Sequence, residues 1–188
     1  MAGVWSAATV NQETLHVRSL DWDSGNPISK YPLITVYQPV GEGLQTHANI
    51  GWVGFIGVLT GFSPKVSIGE KVWYPEAGVA RTTRYGNPWT YVLRDVLYEA
   101  TDLLSALGIL TKAHRTCSIH LGLGSKDDHS FRMLEYSENV LNNYNDKNYT
   151  NYSESYHPKR PGIAYFDKFI QPSDNNCVGA LLTNVNFT

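Results

Sequence analysis

With 188 residues, 42% of them apolar, and five Trp beside twelve Tyr, the chain is long enough to bury a core and too apolar to stay disordered. A formal net charge of −2 gives no electrostatic footprint for nucleic acid or for an anionic membrane surface. No apolar run reaches the roughly 18 residues of a spanning helix.

The start, Met1-Ala2-Gly3-Val4-Trp5, has neither the basic opening nor the apolar stretch of a signal peptide. Residues 4–10 and 15–22 read as a β-hairpin around the polar turn Asn11-Gln12-Glu13. Residues 33–37 form a short apolar strand, and Gly41-Glu42-Gly43 makes a turn. Residues 44–50, 54–59 and 66–73 are three more strand candidates, separated by Gly and Pro. The period then changes. Val92, Val96, Leu97, Ala100, Leu103, Leu104 and Leu107 recur at helical spacing after a start at Asn87-Pro88. A break near Glu99 lets Thr101-Asp102 cap a second helix, with Gly108 as its stop. Residues 116–121 and 130–136 read as a hairpin across residues 122–128, and Ile163-Ala164-Tyr165-Phe166 is the clearest strand after them. Strands, then helices, then strands, with no βαβ alternation, imply an α+β fold with an antiparallel sheet. No repeat or low-complexity linker divides residues 1–188, which read as a single domain.

Asn148, Asn151 and Asn186 each open an Asn-x-Ser/Thr sequon, an acceptor pattern for glycosylation that also arises by chance in Asn-rich chains. Cys117 and Cys177 suit either a disulfide in an oxidising compartment or two buried thiols. The six histidines show no metal-ligand spacing, so no metal is expected. Gly122-Leu123-Gly124-Ser125 joins two strands and opens no helix, which argues against a nucleotide site. No cofactor is implied.

Two segments carry a resemblance. The run from His16 to Asp23 sets Arg18 and Asp21 three residues apart at the end of an alternating strand, and Asn49 to Pro64 is apolar and punctuated by Gly. Together they resemble the N-terminal-nucleophile linear amidases, the group of acid ceramidase, N-acylethanolamine acid amidase, penicillin V acylase and isopenicillin N acyltransferase. Ser67-Ile68-Gly69-Glu70-Lys71 is similar to that group's Ser-x-x-Glu-Arg. Ser118 to Gly122 and Phe131 to Ser137 resemble its later hairpin. Members are usually longer, so the chain reads as a partial amidase-like domain.

The resemblance implies an αββα sandwich and a hydrolase or acyltransferase acting on an N-acyl amide. It implies Arg18, Asp21 and Glu70 as catalytic-site residues, with Asp21 aiming the amine and thiol of an N-terminal Cys and Arg18 orienting the substrate amide. A cysteine at a free N-terminus uses its own α-amino group as base. Trp22 and Trp52 are the candidate walls of the substrate groove, and core packing is the plainer role for both. The group's late oxyanion Asn has Asn142, Asn143, Asn184 or the position held by Asp167 as candidates here, without an assignment, and Asp167 would be a poor oxyanion donor.

No cysteine precedes Cys117. The nucleophile then lies upstream of Met1, or is lost in a catalytically dead relative, or is replaced by Ser6. The expectation is that this polypeptide is inactive alone, and that the full-length protein is secreted or lysosomal. Its partner is a small-molecule or lipid amide substrate. The alternative is a secreted lipid- or protein-binding glycoprotein.

Overall fold

In the computed structural model, which describes residues 2–4, 15–18, 27–73, 75 and 77–145, one pair of strands forms a hairpin and seven more form an antiparallel sheet. The hairpin joins β1 (Ala2–Val4) to β2 (Leu15–Val17), with Gly3 opposite His16. The sheet contains β3 (Pro32–Tyr37), β4 (His47–Trp52), β5 (Thr60–Phe62) and β6 (Val66–Val72). It continues through β7 (Ile119–Ser125), β8 (Ser130–Tyr136) and β9 (Leu141–Tyr144), the strands lying side by side in chain order. Helices α1 (Trp89–Glu99) and α2 (Leu103–Lys112) are inserted between β6 and β7. The fold is α+β with an antiparallel sheet.

Alternation along the strands sorts the two faces of the sheet. Val66, Ile68, Ile119, Leu121, Leu123, Leu134 and Tyr136 form one core with Val92, Leu93, Val96 and Leu97 of α1 and Leu103, Ala106 and Leu110 of α2. The intervening residues, among them Ser67, His120, Gly124, Phe131 and Glu135, take the opposite face. There the hairpin lies against β7 and β8, with the His16 ring 5.0 Å from that of Phe131. β7 is therefore buried along its whole length. A second helical layer, which an αββα sandwich needs, is not among the described residues.

Glycine sets how near α1 comes to the sheet. Gly57 sits at φ +91°, and a Cβ there would lie 2.7 Å from Thr90 Cβ at the start of α1. A Cβ on Gly61 would meet Leu97 Cδ1 at 2.6 Å. Asn49 Nδ2 donates to the Gly57 carbonyl at 3.0 Å and so satisfies the buried turn.

Asp102 caps α2. Its carboxylate accepts from Ser105 N at 2.7 Å, while Ser105 Oγ accepts from Asp102 N at 3.1 Å, a reciprocal capping box. Asp128 Oδ2, in the β7–β8 turn, accepts from Leu103 N at 2.8 Å and covers another first-turn amide. Replacing Asp102 with Ala should destabilise the chain, read as a lower urea midpoint with an unchanged slope.

Several boundaries differ from the sequence reading. Residues 54–59 form turns and loop, not a strand, because positive φ at Gly54 and Gly57 breaks the extended chain. α2 runs through Gly108 to Lys112, since a Cβ there would meet only open space and nothing forces a stop. β7 extends to Ser125, so Gly122 and Gly124 lie inside the strand and not in its turn. β9 was not expected. Pro88 occupies the N-cap position of α1, one residue before its first turn. Residues 163–166 lie outside the described residues. No helix among the described residues is long and apolar enough to cross a membrane.

On the hairpin side, no described element covers the β3 end of the sheet. Ile34 pairs across the ladder with Ile50, and Val36 with Ala48, which in turn pairs with Phe62. Their side chains form an apolar strip in which Ile34, Val36, Ile50 and Phe62 are 66%, 61%, 43% and 52% exposed.

Candidate active site

Arg18, immediately after β2, donates from Nη2 to Glu70 Oε1 of β6 at 3.0 Å. The two side chains are only 10% and 6% exposed. Two residues earlier, His16 Nδ1 lies 2.9 Å from Ser67 Oγ. Thus β2 grips β6 twice, through a neutral hydrogen bond and through a buried ion pair. By strict alternation Ser67 and Glu70 would leave β6 on opposite faces, yet His16 and Arg18 contact both.

Burial sets the electrostatics. It raises the pKa of the Glu70 carboxyl above the ordinary value, and the adjacent guanidinium offsets only part of that rise. Burial also pushes His16 down to about 4, with the positive field of Arg18 acting in the same direction. His16 is therefore neutral at physiological pH. Its Nε2 is buried and has no hydrogen-bond partner among the described residues.

A polar row crosses the hairpin face of the sheet, where Lys71, His120, Glu135 and Asn142 stand in register on β6 to β9. The ring of His120 stacks on Trp73 with centroids 5.1 Å apart. Glu135 Oε2 accepts from Asn142 Nδ2 at 2.7 Å and from Tyr144 Oη at 3.0 Å. Of the oxyanion candidates, Asn142 thus commits an amide N–H to Glu135, Asn143 lies beside it on β9, and Asn184 and Asp167 lie outside the described residues.

The structure brings Arg18 and Glu70 together. Asp21 and Trp22 lie outside the described residues, as do Asn148, Asn151, Asn186 and Cys177. Trp52 ends β4, two strands from β6, and its ring packs on Phe55 at 4.5 Å. Cys117 does not lie inside a strand as its neighbours suggested; it precedes β7, which begins at Ile119. Its thiol is pushed up to about 11, mainly by burial. A thiol in that state is no nucleophile at neutral pH. Sequence reasoning gave His16 and Ser67 no role, although both stand in the stretches that carry the resemblance. The available signal was the two-residue spacing of His16 and Arg18, which places both on one side of a strand.

No known family model matches the chain. In a comparison with solved structures, it superposes on the Caenorhabditis elegans ortholog of N-acylethanolamine-hydrolyzing acid amidase with a TM-score of 0.55 and 19% identity, over 68% of this chain and 57% of that one. The two share a fold. Among curated proteins, the chain is 34% identical over 192 residues to protein dcd1A of Dictyostelium discoideum, and 34% identical over 186 residues to protein dcd1B of the same organism. Each alignment takes in 97% of this chain but only 43% of dcd1A and 37% of dcd1B. The chain thus spans less than half the length of these relatives.

Proposed function

We propose that this chain is part of a linear-amide hydrolase or acyltransferase of the N-terminal-nucleophile group, acting on an N-acyl amide. The observation that carries the reading is the buried Arg18–Glu70 pair, formed between the return strand of a hairpin and the central sheet of an amidase-like fold. An ion pair excluded from water has a fixed direction and a strong local field. There Arg18 orients and polarises a substrate amide, and Glu70 holds the guanidinium in place. Asp21 aims the amine and thiol of an N-terminal cysteine. That thiolate attacks the amide carbonyl, the α-amino group takes up the thiol proton and passes it to the leaving amine, and water or an acceptor amine then releases the acyl group.

The proposed setting is the lysosome or the secretory route, with glycans at Asn148, Asn151 and Asn186. The competing reading, a glycoprotein that binds lipid or protein without catalysis, draws on the high pKa of Cys117 and on the exposed apolar strip.

N-terminal sequencing of the protein from its native source, combined with an assay on fatty N-acyl amides, separates the two. The expected result is a mature chain that opens on cysteine and turns these amides over, while the 188-residue polypeptide does not. Asp21→Asn in the native form should lower kcat by at least about a hundredfold. A native form without an N-terminal cysteine and without turnover would hand the assignment to the binding protein.

A further inference from the structure

Among the described residues, no backbone hydrogen bond joins the β1–β2 hairpin to the seven-stranded sheet; the two are separate sheets. Among the described residues the hairpin meets β6 through side chains, His16 on Ser67 and Arg18 on Glu70. A long, many-rotamer arginine side chain constrains the position of β2 less tightly than a short one does. His16 is short and held on three sides. Nδ1 meets Ser67 Oγ at 2.9 Å, the ring edge meets Phe131 at 5.0 Å, and the site lies opposite Gly124. A Cβ on Gly124 would fall 2.6 Å from Ser67 Oγ, so the sheet surface is cut away where this hydrogen bond forms.

We propose that His16, through Ser67, is the positioning residue that docks the hairpin and fixes Arg18 on Glu70. The proposal rests on the amidase reading only in treating that ion pair as part of an active site. Positioning requires a neutral imidazole. A proton on His16 would place a second cation two residues from Arg18, in a location where Nε2 finds no acceptor among the described residues. Because Arg18 and Glu70 also contact each other directly, the coupling is visible in the pair itself.

The test is side-chain NMR on the 188-residue chain, following Arg18 Nε–H exchange and the titration of the Glu70 carboxyl in wild type, His16→Ala, Ser67→Ala and His16→Asn. His16→Ala and Ser67→Ala should each speed Arg18 exchange by about tenfold or more, and the Glu70 midpoint should rise as the guanidinium drifts away. Asn carries an amide near the place of Nδ1, and His16→Asn should restore most of both signals. Loss of a merely structural side chain would lower the melting temperature without moving the Glu70 midpoint and without rescue by Asn. Ser67→Ala removes a single oxygen and keeps the test available should His16→Ala fail to fold.

Unchanged Arg18 exchange together with an unchanged Glu70 midpoint in Ser67→Ala would overturn the proposal. That outcome differs from failure of the amidase reading, in which native protein turns over no amide while the His16 coupling persists.

Discussion

Replacing Arg18 with Met should destabilise the chain by about 3–5 kcal/mol at pH 7, the usual penalty for leaving one partner of a buried ion pair without the other. The size of the loss should depend on pH. The pKa of Glu70 is raised on folding, so its contribution to stability is fully present at low pH and is lost as pH rises through the folded value. Without Arg18 the folded pKa climbs further, and that loss continues to higher pH. The gap between wild type and Arg18→Met therefore opens between mildly acidic and neutral pH and narrows in acid, where Glu70 is protonated in both. Glu70→Gln behaves differently, since the guanidinium keeps its charge at every pH and meets only a neutral acceptor at position 70. Urea unfolding at several pH values reads both variants. A loss below about 0.5 kcal/mol across the whole range would mean that the pair is hydrated in solution.

His16 should give the chain a second, opposite pH dependence. Its folded pKa, about 4, lies below the ordinary 6.5. The unfolded chain therefore binds a proton in that window and the folded chain does not. Stability is complete above the upper value, falls between the two, and levels off below the lower one. At 1.36 kcal/mol for each pH unit, the fall amounts to about 3 kcal/mol. His16→Gln does not titrate and should remove that share of the slope. His47 is also pushed down, chiefly by burial, and lies between Tyr37 and Tyr98, so the acid sensitivity that remains in the variant belongs in part to it. An acid limb of the same size in wild type and His16→Gln would show that the imidazole is exposed in solution.

The helices and the longer strands were legible because their patterns are local. Val92, Val96 and Leu97 repeat at the helical period, and Thr101-Asp102 marks where α2 begins. The glycine-rich run was misread for a physical reason. Apolar residues between glycines match a strand by composition, but Gly57 serves a close approach to α1, a long-range requirement that no window of the sequence contains. The same holds for the site. Arg18 and Glu70 stood out through a resemblance, and spacing alone could not bring residues 52 positions apart to 3.0 Å. Ser67 opens the Ser-x-x-Glu stretch of the resemblance, but that stretch gives it no role. It matters because Gly124 opposite it has no side chain, and that pairing exists only across the β6–β7 ladder.

The apolar strip over β3, β4 and β5 bears on how the polypeptide behaves outside the cell that makes it. A greasy ribbon beside an outermost strand with one ladder neighbour among the described residues is the geometry by which chains add to one another edge to edge. The solubility of an isolated preparation should therefore respond to concentration, salt and added detergent. Charged substitutions at Ile34 and Val36 would raise its solubility limit while leaving the helix-side core, and the Arg18–Glu70 pair, untouched.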